Sequence, residues 1–223
     1  MKAPNNFEAI LLAEFNLGLP PLTFFKLIKE PSDWSFVLKL HTVLECALNC
    51  LLEKRMPAYD YDRPMTFVSK VQLAFELPMP ARDDYYRNFF KNLNYIRNRF
   101  AHRANYILYD LKQVIQEIPL HRRNAVIESL AVGVKTPETS ENDARNAELR
   151  QALFVKHPRN ILLLSAGYAL ELLSILYFIE FGKDGKLYAD EFQPQLQDLL
   201  NDPAVIALRR KMESLSSDND DES

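Results

Sequence analysis

The chain has 223 residues, 48% of them hydrophobic and 26% charged, a balance that allows one sizeable core or two small ones and excludes a wholly disordered polypeptide. Its formal charge of −3 excludes a globally basic nucleic-acid binder. Five glycines in the whole chain and little strand-type alternation predict an all-α fold.

Four of the 30 acids, Asp218, Asp220, Asp221 and Glu222, lie in the terminal SSDNDDES. Without them the body carries 27 basic against 26 acidic residues, so a nucleic-acid role has to rest on a local patch. The start, MKAPNNFEAI, lacks the apolar core of a signal peptide, so a cytoplasmic location is expected.

The first element, NNFEAILLAEFNLG, reads as a short helix stopped at Gly18. LTFFKLIKE adds one or two turns before Pro31. The first strong helix is SDWSFVLKLHTVLECALNCLLEKR, with Ser32 or Asp33 as its cap. Val43, Leu44, Ala47, Leu48, Leu51 and Leu52 form its apolar stripe, while Thr42, Glu45 and Asn49 share another face. Glu45 is exposed there or paired with an arginine on a packed neighbour. His41, on the same helix as Glu45, is expected on the surface, with an orientation toward the cleft as the alternative. Cys46 and Cys50, without a further Cys/His cluster, are expected as two reduced core thiols, and no metal site follows from them.

After the loop YDYDRP, the helix MTFVSKVQLAFEL aligns Phe67, Val71 and Ala74. The longest helical tract is predicted from Asp83 to Ile118, where Pro119 ends it. HRRNAVIESLAV is a shorter helix whose His121, Arg122 and Arg123 make a solvated start. GVKTPETSEND is a linker by composition. Asp143 to Lys156 is amphipathic, and His157 and Pro158 punctuate. The apolar run from Ile161 to Ile179 has a single charge, Glu171. Its length suits a membrane span, but Glu171, Ser165 and Ser174, and the want of a second such segment, favour a buried helix and no membrane contact. PAVIALRRKMESL is a last marginal helix before an acidic tail too polar to order. The domain reading is 1–31 as an N-terminal helical extension, 32–182 as the main helical domain, 183–215 as a C-terminal extension and 216–223 as a disordered tail.

One stretch concentrates chemistry. From Tyr85 to Tyr109 there are five basic residues, no acid and eight aromatics. Helical geometry places Phe89, Leu93, Ile96 and Phe100 in one core-facing arc. Arg97 lies at the edge of that arc, and His102 lies about 140° further round and roughly 7.5 Å along the axis. On a straight helix the two meet only if the helix distorts or a two-fold partner completes the site, so a homodimer packed through this helix is expected.

The run IRNRFAH resembles the R-x4-6-H motif of the HEPN superfamily, with Asn98 as the polar residue after the arginine. The flanking order, LHTVLECALNCLLEKR, then FVSKVQLAFEL, then LNYIRNRFAH, is similar to that of HEPN domains. The apolar NILLLSAGYALELLSILYFIEF that follows is similar to the mannitol operon repressor branch. The resemblance covers about residues 32 to 182, and implies a HEPN-like helical bundle with extra N- and C-terminal helices.

It also implies a metal-independent endoribonuclease, in the manner of a toxin or defence nuclease, needing no cofactor. His102 would move protons near neutral pH during attack of the ribose 2′-OH. Arg97 would stabilise charge on the phosphate, and Asn98 would orient one of these groups. RNA would be the substrate, with Lys91, Arg99 and Arg103 on flanking phosphates, Glu45 in support, and Tyr95 or Tyr106 exposed to stack on bases. A partner antitoxin or regulatory protein fits the same resemblance. The alternative is a non-catalytic, mannitol-repressor-like transcriptional regulator. No phosphate-binding glycine loop, nucleophile elbow or helix-turn-helix is found, so such a regulator would act through a protein partner rather than on an operator directly.

Overall fold

The computed structural model describes residues 6–57, 65–76, 83–134 and 143–181, with the isolated positions 201, 203 and 206. Among them regular structure is entirely helical, and the all-α expectation holds. The loop YDYDRP, most of the 133–143 linker, the C-terminal extension and the acidic tail lie outside the described residues, apart from those isolated positions.

Helix α1 (Asn6–Asn16) stops at Gly18, whose φ of 65° is the left-handed value that glycine adopts at no steric cost. Leu19 N–H donates to the Glu14 carbonyl at 2.8 Å and Gly18 N–H to that of Phe15 at 3.1 Å, the paired closure of a Schellman stop. Helix α2 (Thr23–Lys26) runs into a 3-10 turn, Leu27–Lys29. Helix α3 (Asp33–Arg55) starts at Ser32, whose hydroxyl accepts from Ser35 N–H. All six residues of its predicted apolar stripe are buried. Helix α4 (Phe67–Ala74) is capped by Thr66 and buries Phe67, Val71 and Ala74, as their spacing predicts.

Helix α5 (Asp83–His102) buries Phe89, Leu93, Ile96 and Phe100 together with Phe90. Helices α6 (Leu111–Gln116), α7 (Leu120–Leu130), α8 (Asp143–Lys156) and α9 (Pro158–Phe181) complete the order. α3 and α9 form the central pair: α1 packs along α9, and α4 and α5 pack on α3 and on each other. α7 rests on α5, and α8 bridges α7 and α9. The side chains of Ile10, Leu11, Phe24 and Phe25 share one core with α3 and α9, so residues 6–31 are built into the bundle. Each fully buried Leu or Phe in that core contributes about 1.5–3 kcal/mol.

α9 is joined closely to its surroundings. A Cβ on Gly133 would stand 2.7 Å from Ser165 Cα, and Gly133 N–H donates to Ser165 Oγ at 3.0 Å. Arg159 donates to the carbonyls of Leu27 (3.1 Å) and Glu30 (2.6 Å) and stands 3.6 Å from Asp33. The other oxygen of Asp33 accepts from Leu111 N–H at 2.7 Å, which ties the start of α6 to the same junction. Among the described residues two helices, α3 as well as α9, are long and apolar enough to cross a membrane, which corrects the expectation of a single such segment. Most of each is buried inside the bundle.

Candidate functional site

The helical tract predicted to run unbroken from Asp83 to Ile118 is broken after His102. Arg103 is extended (φ −127°, ψ 104°), and the chain then turns through the 3-10 segment Ala104–Leu108 into α6. Two local causes account for the break. Tyr106 is fully buried, with its ring stacked on Tyr109 at 5.0 Å between centroids and set edge-on to Phe100. Asp110 opens α6 with a capping box, accepting from Gln113 N–H while Gln113 Oε1 accepts from Asp110 N–H. His102 is therefore the last residue of α5, exposed at the turn.

A polar hub fixes this turn. The Tyr106 hydroxyl donates to Glu117 Oε2 and accepts from Arg99 Nη2 (2.7 Å) and Arg103 Nη1 (2.8 Å). Arg99 Nη2 also reaches Glu117 at 3.3 Å, and its Nη1 donates to the Tyr95 hydroxyl at 3.1 Å. Arg99 and Arg103 both lie over the Tyr106 ring, at 5.5 and 5.2 Å. The buried phenol is thus satisfied as acceptor and donor, as burial demands. Tyr106 is closed to any base, which corrects the expectation that it is exposed for stacking. Tyr95 is half-buried. Arg99, expected on a flanking phosphate, is committed to the hub; Arg103 is tied to it but remains half exposed, and Lys91 is exposed.

Arg97 and Asn98 are half-buried on the last turns of α5, and Arg97 Nη1 donates to Asn98 Oδ1 at 2.9 Å. That bond draws the guanidinium round the helix toward Asn98. Asn98 is only about 40° from His102 round the axis and about 6 Å below it.

Behind Arg97 lies a second group that the sequence reading underweighted. His41, expected on the surface, is only 3% exposed. Its ring packs on Phe67 at 4.1 Å between centroids, and its Nε2 is 3.2 Å from Asn94 Oδ1. Burial pushes its pKa down to about 4 against the pull of Glu45, and the nearby Arg97 charge lowers it further, so it is neutral at pH 7. Among the described residues Glu45 has no arginine partner. It accepts from Lys70 Nζ of α4 at 2.6 Å, and its other oxygen is 3.8 Å from His41 Nδ1. A sequence signal for His41 did exist, since it continues the Val37, Leu44, Leu48 register of the α3 stripe. Lys70 had no such signal.

The other outlying residues settle simply. His121 is exposed, and Arg123 is turned back onto the carbonyls of Gln116 and Ile118, ending α6. Cys46 is exposed and Cys50 half-buried, its thiol pKa raised by burial. The expectation of two core thiols is therefore corrected for Cys46: the apolar stripe of α3 runs along the other side of the helix.

Two kinds of side chain meet at this end of α5. The exposed His102 and the Arg97–Asn98 pair can serve proton transfer and anion binding, while Arg99, Tyr106 and Glu117 hold the turn that presents them. Compared with known proteins, the chain matches no family model, no curated protein and no solved structure.

Proposed function

We propose that this protein is a metal-independent endoribonuclease of the HEPN type, acting as a cytoplasmic homodimer on RNA. The observation that carries this reading is the open His102 at the end of α5 with the hydrogen-bonded Arg97–Asn98 pair about one turn before it on the same helix. A neutral His102 takes the proton of a ribose 2′-OH as its oxygen bonds to phosphorus. The bond to the 5′-oxygen breaks, and a protonated imidazole returns a proton to that oxygen. A two-fold dimer supplies two imidazoles for these two tasks. Arg97, always cationic and bidentate, binds the charge that builds on the phosphate, and Asn98 fixes its direction. Lys91 and the outward side of Arg103 take flanking phosphates, whereas Arg99 and Glu45 act from behind. The exposed Ile107 and Leu108, the latter 88% exposed, follow His102 closely and give a partner subunit an apolar edge to cover. A protein antitoxin is the expected regulator of such an activity.

The commitment of Arg99 to the hub, and the ties that hold Arg103 there, favour a second reading, a non-catalytic regulatory module of the mannitol-repressor kind, because they leave fewer cations for RNA. One experiment separates the two. Labelled single-stranded RNA is incubated with the wild type, Arg97→Ala and His102→Ala in EDTA. Cleavage that falls by about 10²–10⁴-fold in His102→Ala supports the nuclease. Cleavage equal in all three overturns it and leaves the regulatory reading, for which co-purification of a stoichiometric protein partner is the check.

A further inference from the structure

Beside the candidate site, α5 and α7 share an arginine whose hydrogen-bonding capacity no described residue uses. Tyr95 lies seven residues before His102, hence about 20° round the helix and about 10.5 Å along it, on the same solvent-facing stripe. The exposed Lys91 continues that stripe one turn earlier. The Tyr95 hydroxyl is held by Arg99 Nη1 at 3.1 Å. Against its ring lies the guanidinium of Arg122 from α7, with Cζ 4.0 Å from the centroid.

Arg122 is exposed, and among the described residues none accepts a hydrogen bond from it. Every other arginine with a described side chain donates to an oxygen acceptor. Joining α5 to α7 does not require Arg122. Asn92 Nδ2 already donates to Ser129 Oγ at 2.7 Å, and Phe89, Val126 and Ile127 are buried in the core the two helices share. The result is a guanidinium lying over an aromatic ring, with no described residue on its edge donors.

We infer that Arg122 and Tyr95 form a stacking platform for a purine base of single-stranded RNA, about two turns of α5 before His102. An arginine plane stacks on unpaired bases and donates from its edge to base or phosphate oxygens, and a ring beneath it removes most of the ordering cost. Purines offer the larger face, so they are preferred. The platform gives this site a base preference that the Arg97–His102 pair, which meets only phosphate and ribose, does not supply. The inference rests on the ribonuclease reading for its place in the reaction, but it concerns binding and is tested without cleavage.

The probes are a fluorescent octaadenylate carrying 2′-O-methyl groups, which blocks 2′-hydroxyl attack, and an abasic strand of the same length. Arg122→Lys keeps the charge and loses the plane. It is expected to weaken octaadenylate binding about tenfold while leaving abasic binding and the salt slope unchanged. Tyr95→Leu gives the same pattern, whereas Lys91→Ala weakens both strands alike and lowers the salt slope. Arg122→Lys binding octaadenylate as the wild type does, or losing equally on the abasic strand, overturns the platform. So does a wild type that binds neither strand. If the platform signature appears while unmodified RNA survives in EDTA, the platform stands and the nuclease reading falls.

Discussion

Replacing Tyr106 by phenylalanine removes one oxygen from the centre of the hub that turns the chain after His102. The ring stays, with its contacts to Phe100 and Tyr109. What is lost is a hydrogen bond given to the Glu117 carboxylate and two received, from Arg99 at 2.7 Å and Arg103 at 2.8 Å. Bonds to charged partners are worth about 1.5–3 kcal/mol each. The three do not add, for two reasons. Arg103 is 54% exposed, so water takes over much of its share. Arg99 and Glu117 still reach each other at 3.3 Å. The net cost is then about 2–3 kcal/mol, or a fall in Tm of about 4–12 °C for a chain of this size. Urea unfolding followed by circular dichroism measures it. A Tyr106→Phe variant within about 0.5 kcal/mol of the wild type, the range of an ordinary surface change, would show that the hub does not hold the turn.

Two buried titratable groups should pull stability in opposite directions with pH. His41 has its pKa lowered from 6.5 to about 4, so the folded state holds fewer protons than the unfolded one between those values, and stability falls as pH drops through that window. Glu14, fully buried and accepting from the N–H groups of Leu22 (2.7 Å) and Phe24 (2.5 Å), has its pKa raised from 4.5 to about 7. The folded state then holds more protons, and stability falls as pH rises through that window. Across pH 4.5–6.5 the two slopes, about 1.4 kcal/mol per pH unit each, oppose one another. Relative to the wild type, His41→Gln should gain stability as pH is lowered from 6.5 to 4.5, and Glu14→Gln should lose it; parallel curves for all three proteins would refute the assignment. The glycines offer a contrast. An alanine at Gly133 meets the Ser165 backbone at 2.7 and 2.9 Å, whereas one at Gly167 meets only the end of the Ile10 side chain at 2.9 Å. Gly133→Ala should cost about 2–3 kcal/mol and Gly167→Ala about 1 kcal/mol or less in the same assay, an order that equal losses would contradict.

The helices were legible where apolar spacing is regular. The stripes of α3, α4 and α5 follow from the 3.6-residue period, and Gly18 and Ser32 mark ends that local chemistry alone determines. The break after His102 was hidden because Arg103, Ala104 and Asn105 include neither glycine nor proline; burial of Tyr106 imposes it from outside the segment. Asp110 and Gln113 did carry the signature of a new start, masked by the apolar pattern around them. Glu14 and His41 defeat a polarity argument for one shared reason. Each is buried with hydrogen-bond partners brought by other segments, backbone N–H groups for Glu14 and Asn94 for His41, and such partners are invisible until the chain is folded. At the candidate site, the Arg97, Asn98 and His102 types were readable along one helix. The hub around Tyr106 and the meeting of Tyr95 with Arg122 depend on α6 and α7 being folded against α5.

The clamp made by Arg159 has a consequence in time. Asp33, which it steadies, also receives Leu111 N–H, so the far end of the loop that follows His102 is braced by a residue more than fifty positions later in the chain. A nascent polypeptide emerging from the ribosome would hold α5 long before that brace exists. An activity that depends on this brace would mature only once the first turn of α9 has been made and docked.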